Sequence, residues 1–296
     1  MNDTSSRIGF IGLGLMGQGF TRRLTECGFS VTGYDLDPDK IARAGEHGVA
    51  AAASPADVAQ ASDVVMICVT STQHVEDAVF GEHGIASAAN TGSILVDHST
   101  SIVEDTKSMA ARLRAEAGMG WVDAPVSGGP EGAMAGSLAI MAGGDEADIA
   151  RIQPIMDVLA AGFTHFGPVG AGQVAKMVNQ VLVLNNYAVL AEALALAEAG
   201  GIDASKIPAA LSMGHAGSNL LNINFPRMIA RDYAPKGYAR QILKDLDMLH
   251  DLAKELKTPT PMSSQTASLY RILNSKGYEE LDGIAILKLF DGKDSV

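Results

Sequence analysis

A lysine and two carboxamides at helical spacing could move a proton and hold an oxygen. Lys176, Asn179 and Gln180 lie three and four residues apart within Gln173 to Ala199, a stretch without glycine or proline. That stretch predicts one helix of roughly 40 Å at about 1.5 Å per residue. Asn186 falls near the same face, so the polar groups form a stripe on an otherwise apolar rod. The apolar remainder predicts burial in the middle of a large protein. Lys176, Glu192, Glu198 and the amides argue against a membrane span. A buried lysine needs polar company, which structural partners or a ligand can supply.

A second chemistry-bearing pattern opens the chain. Arg7 to Ile11 reads as a buried strand and runs into Gly12-Leu13-Gly14-Leu15-Met16-Gly17, a helix-like segment, and a further strand from Ser30 to Tyr34 that closes on Asp35. Strand, glycine turn, helix, strand and acid in this order form a dinucleotide-binding fingerprint. Gly12 permits the tight turn, Gly14 lets backbone approach a pyrophosphate, and Gly17 lets the helix sit close to the strand. The helix start then offers unpaired N–H groups to phosphates. Asp35 would accept hydrogen bonds from the adenosine ribose and repel a 2′-phosphate, and Leu36 stands where an NADP site wants arginine. NAD is the expected cofactor.

The elements that must position these groups follow by alternation. Strands are expected at Asp63 to Val69, Ser93 to Asp97, Trp121 to Ala124, Ser137 to Ala142 and Phe163 to Phe166. Helices are expected at His74 to Phe80, from a capping box of Ser101 and Glu104 to about Ala117, and at Glu146 to Leu159. Continuous apolar strands alternating with helices predict a doubly wound, mostly parallel sheet. Ligands sit beyond the carboxyl ends of such strands, where Gly12, Val69-Thr70, Ser99-Thr100 and Ser127-Gly128-Gly129 should converge. After Gly170 only helical patterns follow, at about 205–212, 218–230, 239–256, 261–275 and 283–290. The expected fold is therefore an α/β Rossmann domain over 1–168 and an all-α domain over 169–296 that begins with the long linking helix.

Composition narrows the function. A chain of 296 residues has room for two domains, and a net charge of -12 disfavours nucleic acid or an anionic membrane as partner. Two cysteines, Cys27 and Cys68, make neither a disulfide framework nor a metal spacing and suit a reducing, cytoplasmic compartment. The N-terminus lacks the basic region and unbroken apolar core of a signal peptide. Asp245, Asp247, His250 and Asp251 read as a solvated helix face rather than a metal site, and His98 as a packing or capping residue. No metal is expected.

Four motifs in order make the chain resemble the β-hydroxyacid dehydrogenase family, over nearly its whole length. They are Gly12 to Gly17, Asp123-Ala-Pro-Val-Ser-Gly-Gly129, Gly167-Pro-Val-Gly-Ala-Gly-Gln-Val-Ala-Lys176, and Lys244-Asp245-Leu246. The resemblance implies a Rossmann domain joined by a long helix to an all-helical domain, a small hydroxy acid as substrate, and a homodimer or homotetramer. It implies Lys176 as general acid/base, Ser127, Gly128 and Gly129 as the substrate loop, and Val69, Thr70, Thr100 and Lys244 as cofactor contacts. A lysine of ordinary pKa, about 10.4, is a poor base at neutral pH; burial and the positive charge of NAD⁺ would lower it.

Three departures from the family pattern bear on these expectations. The amide partner usually lies four residues after the lysine, where this chain has Gln180, with Asn179 at three; either can serve, and Asn179 is favoured. Val69-Thr70 replaces Leu-Pro in the cofactor loop. Val183 stands where decarboxylating sugar-phosphate members carry glutamate, which implies oxidoreduction without loss of CO₂. The alternatives are a reductase of aldehyde acids, of the tartronate or succinic semialdehyde type and using NADPH, and a non-catalytic dinucleotide-binding protein; the intact Lys176 argues against the latter.

Overall fold

The computed structural model describes residues 6–291. The chain divides into two compact units, Met1–Lys176 and Met177–Val296.

In the first unit nine strands form one sheet: β1 (Ile8–Ile11), β2 (Val31–Tyr34), β3 (Ala50–Ala51), β4 (Val64–Ile67), β5 (Ile94–Asp97), β6 (Gly120–Asp123), β7 (Val126–Ser127), β8 (Leu138–Gly143) and β9 (Ala160–Gly167). Their order is β3-β2-β1-β4-β5-β6-β8-β7, with β9 on β8. The strands from β3 to β6 are parallel. β8 runs antiparallel to β6 and β7, and β9 runs parallel to β8. The sheet is thus mostly parallel, and the order reverses between β1 and β4.

The apolar strands are continuous because both faces are covered. Alternate residues of a strand point to opposite faces. Ile8, Phe10, Val64, Met66, Ile94 and Val96 join a core with Phe20, Leu24, Ile152 and Leu159. Their neighbours Ile11, Val65, Ile67, Leu95 and Trp121 join another with Val58, Val75 and Leu113.

The covering helices are α1 (Leu15–Glu26), α2 (Pro38–Gly45), α3 (Pro55–Ala61), α4 (Thr72–Phe80), α5 (Val103–Ala117), α6 (Gly129–Ala135) and α7 (Glu146–Leu159). Three of these, α2, α3 and α6, lie where no helix was expected from the sequence, as do β3 and β7. Asp37 and Ser54 cap α2 and α3 by accepting N–H groups two and three residues on, with proline at the first helical position of each. The capping box expected at Ser101 does not form. Ile102 is the N-cap of α5 without a side-chain bond, and the Ser101 hydroxyl instead donates to Asp97 Oδ2 at 3.3 Å.

The long helix α8 runs Ala171–Ala199, 29 residues, and the boundary between the units falls inside it. The second unit is helical: the rest of α8, α9 (Ile207–Leu211), α10 (Asn219–Ile229), α11 (Ala239–Glu255), α12 (Pro261–Ser275) and, at the last expected helical pattern, a 3₁₀ helix at Gly283–Leu289. Leu184, Ala191 and Leu194 of α8 pack with Phe225, Met228, Leu246, Tyr270 and Ile286. Burial of α8 is one-sided, contrary to the sequence expectation. Val178, Leu182, Val189 and Leu196 are 59%, 64%, 52% and 75% exposed, because the core touches one stripe of the rod.

Candidate active site

The loops after the parallel strands carry most of the predicted site residues, and side chains lace those loops together in strand order. Asp35, after β2, accepts the Leu13 N–H at 2.7 Å through Oδ2 and the Asp37 N–H at 2.9 Å through Oδ1. The acid therefore holds the glycine turn directly. Lys40 Nζ stands 3.4 Å from the same carboxylate. Gln18 adds a clamp, its amide donating to the carbonyls of Leu13 and Lys40 at 2.9 Å each.

The turn itself fits a dinucleotide. Gly12 has φ of 92°, a left-handed backbone that disfavours any side chain. A β-carbon on Gly17 would collide with the Gly12 carbonyl, so α1 starts tight against the turn. A β-carbon on Gly14 would meet nothing within 4 Å, leaving open room where backbone can approach a phosphate. Gly14 is also the N-cap of α1 and makes no side-chain cap, so the first N–H groups of that helix are left to a ligand or water. Leu15 at this helix start is exposed and Met16 half-buried.

The next loops continue the lacing. Val69 N–H donates to Ser99 Oγ at 3.0 Å, tying the loop after β4 to that after β5. Thr70 is exposed, its hydroxyl 2.8 Å from His74 Nδ1. Thr100 is half-buried beside the buried Ser99 and Ser101. His98 Nδ1 donates to the Ala124 carbonyl at 2.7 Å, bridging β5 to β6, and its ring stacks on Phe20 with centroids 4.7 Å apart. Packing is thus its role.

Beyond β6 the chain turns through Ser127, Gly128 and Gly129. Ser127 pairs with Ala139 across β7 and β8, and α6 starts immediately after Gly128. Lys176 is 8% exposed and donates from Nζ to the Val126 carbonyl at 2.8 Å. The lysine is brought to the residue next to Ser127.

Four buried residues outside the predicted catalytic and binding set complete this region. Asp123 accepts the Gly170 and Gln173 N–H groups. Gln173 donates to the Ser99 carbonyl at 2.9 Å and accepts the Ser101 N–H at 3.1 Å. Asp97 accepts the Ser99 N–H at 2.8 Å, and Ser99 is the partner of Val69 already described. Burial pushes the Asp123 carboxyl up to about 7, against the lowering effect of its backbone donors and with a raising contribution from Asp97. The signal for the two acids was their position: each ends an apolar strand.

In the second unit Gln180 donates from Nε2 to Asp245 Oδ2 at 2.5 Å and accepts from Asn179 Nδ2 at 2.8 Å. Asp245 Oδ1 lies 3.0 Å from Lys244 Nζ. Asp247 pairs with Arg271. Asn186, expected on the polar stripe, turns its amide back to the Leu182 carbonyl of its own helix.

Comparison with known proteins matches this architecture along nearly the whole chain. Residues 7–167 match the profile described as the NAD binding domain of 6-phosphogluconate dehydrogenase. Residues 170–290 match that described as NAD-binding of NADP-dependent 3-hydroxyisobutyrate dehydrogenase. An NAD-dependent L-serine dehydrogenase of Pseudomonas aeruginosa is 34% identical over 292 residues, covering 96% of this chain and 98% of the relative. The chain belongs to the β-hydroxyacid dehydrogenase family.

The enzyme is also similar to a 2-hydroxy-3-oxopropionate reductase of Escherichia coli, 34% identical over 287 residues, with 96% and 97% of the two chains covered. A solved structure of 3-hydroxyisobutyrate dehydrogenase from Salmonella typhimurium superimposes with a TM-score of 0.88 at 31% identity, covering 96% of this chain and 99% of that one. The protein is thus an oxidoreductase of β-hydroxy acids whose cofactor is a nicotinamide dinucleotide.

The packing of His98 has a measurable consequence. Burial lowers its pKa to about 4, below the ordinary 6.5, despite the raising effect of the Ala124 carbonyl. Between these values the unfolded chain takes up a proton that the folded one refuses, so this residue's contribution to stability falls as pH drops from about 6.5 to about 4. In a proton NMR titration the His98 ring signals are expected to stay flat from pH 8 to about 5. A midpoint near 6.5 contradicts the buried, neutral ring.

Proposed function

We propose that the enzyme interconverts a small β-hydroxy acid and its semialdehyde or keto acid, prefers NAD, and uses Lys176 as the general acid/base. The observation that carries this reading is the buried Lys176 ammonium, donating to the Val126 carbonyl beside Ser127. The bound nicotinamide dinucleotide supplies a hydride acceptor or donor. Lys176 manages the proton. In oxidation its neutral amine accepts the substrate hydroxyl proton as the carbonyl forms; in reduction its ammonium gives a proton to the oxygen that becomes the hydroxyl. The Val126 carbonyl accepts one N–H of Lys176 and so limits where the remaining hydrogens or lone pair can point.

The Ser127 hydroxyl and the backbone N–H groups of Gly128 and Gly129 are suited to a substrate carboxylate. Asn179 is the proposed amide partner of the substrate. Gln180 is committed at both ends, to Asp245 and to Asn179, which supports giving that role to its neighbour. The cofactor residues proposed are Gly12 to Gly17, Asp35, Val69, Thr70, Thr100 and Lys244. NAD preference is supported by the Asp35 carboxylate, held at the end of β2 by two backbone N–H groups, where a 2′-phosphate would meet like charge.

A homo-oligomer in the cytoplasm belongs to the same proposal. The apolar line of Val178, Leu182, Val189 and Leu196 on α8 supports the oligomer, and the low cysteine content supports the compartment.

Purified enzyme with NAD⁺ and a panel of small 3-hydroxy acids is expected to reduce the cofactor, and Lys176→Ala to lose about 10²–10⁴-fold in kcat. Asp35→Ala is expected to raise kcat/KM for NADP⁺ relative to NAD⁺. Turnover with no member of the panel in either direction, or an unaffected Lys176→Ala, would sink the proposal. For the assembly, light scattering should give a dimer or tetramer that Leu182→Glu weakens; a monomeric mass for the unaltered chain contradicts it.

A further inference from the structure

Asp123 stands at the end of β6 with both carboxylate oxygens occupied by the entry to α8. Oδ1 accepts the Gly170 N–H at 2.7 Å and Oδ2 the Gln173 N–H at 2.9 Å. The opening N–H groups of a helix have no partner inside it, and here an anion drawn from another part of the chain supplies one. Space for that anion is kept by two glycines. A β-carbon on Gly143 would stand 2.7 Å from Asp123 Oδ1, and one on Gly172 would stand 2.9 Å from Oδ2. A side chain at either position would also strike backbone, the Pro168 carbonyl from position 143 and the Asp123 and Met141 carbonyls from position 172, so none fits without displacing the carboxylate and the chain around it.

The same turn is pinned from a second side. Gln173 is fully buried and bridges the Ser99 carbonyl and the Ser101 N–H. Lys176 lies three residues further along the helix, on the neighbouring turn of the same face. Its ammonium reaches the Val126 carbonyl at 2.8 Å, and Val126 follows Asp123 closely in sequence. The contacts form a closed ring: from Asp123 to the start of α8, along one turn to Lys176, across to Val126, and back through the chain to Asp123.

We propose that Asp123, through its hold on the first turn of α8, is the positioning residue that sets where the Lys176 ammonium stands beside Ser127. The inference rests on Lys176 being the general acid/base. A lysine has four rotatable side-chain bonds, so the direction of its reach is fixed chiefly by where its Cα is held and by what its ammonium meets. Asp123 and Val126 provide the two fixed points. An asparagine at 123 would keep one acceptor oxygen but turn an NH₂ group toward a backbone N–H, donor against donor, so one of the two ties must open.

The test is a double-mutant cycle on the full-length enzyme, with kcat, KM and NAD⁺ affinity measured for wild type, Asp123→Asn, Lys176→Ala and the double variant. Asp123→Asn is expected to lower kcat by about 100-fold, as displacement of a catalytic group by about 1 Å does, with NAD⁺ affinity within about threefold of wild type. In the Lys176→Ala background the same substitution should change kcat by less than about threefold, because the group it positions is gone. Should Asp123→Asn not fold, Gln173→Leu in the same cycle removes the second tie and is expected to show the same pattern. An equal fold-loss in both backgrounds, or a fall in NAD⁺ affinity with kcat unchanged, makes the carboxylate a general structural brace and overturns the proposal. Full activity in Lys176→Ala alone overturns the acid/base reading and this inference with it, and that outcome is distinguishable because it does not involve position 123.

Discussion

A buried carboxylate that accepts two backbone N–H groups at the head of a 29-residue helix is the contact on which the arrangement of this enzyme turns. Desolvating an anion is costly unless its oxygens are hydrogen-bonded, and unpaired helix-start N–H groups are costly when buried. Asp123 and α8 meet both needs at once. Desolvation still outweighs the donors, since burial raises the carboxyl to about 7 although the backbone N–H groups lower it. The helix that carries Lys176 is thereby anchored to the end of the sheet strand that leads into the Ser127 loop.

The rest of the first unit extends this principle along the carboxyl edge of the sheet. Asp35 ties the loop after β2 to the glycine turn after β1. Ser99 ties the loop after β5 to that after β4. His98 bridges β5 to β6 through Ala124, and Gln173 joins α8 to the loop after β5. Groups that approach a ligand therefore rest on groups that approach each other. Positioning of this kind is what proton transfer to or from a substrate hydroxyl demands, because the acid/base must be held within hydrogen-bond reach of its target.

What the sequence made legible was local. The glycine fingerprint, the strand starts and the closing Asp35 fall within some thirty residues, and each has its own steric or electrostatic reason. The apolar runs Val64–Ile67 and Ile94–Asp97 were readable as strands because both faces feed cores. Caps at Asp37-Pro38 and Ser54-Pro55 are equally local signals and mark α2 and α3. Non-local partners were not readable. Asp123 meets groups 47 and 50 residues away, so its motif was visible while its task was not. Ser101 and Glu104 had the spacing of a capping box, but Asp97 claimed the serine hydroxyl. Apolarity of α8 suggested burial, yet one line of its residues faces outward, since composition does not say how many neighbours a helix has. The commitment of Gln180 to Asp245, on another helix, was equally out of reach of the sequence.

The hold of Asp123 on the helix start can be observed without any substrate, by amide hydrogen exchange of the Gly170 and Gln173 N–H groups. The account predicts protection comparable to that of the central sheet amides at Val96 and Val122, retained in Lys176→Ala and lost in Asp123→Ser. Exchange of both amides at the rate of unprotected backbone in the unaltered protein would contradict it.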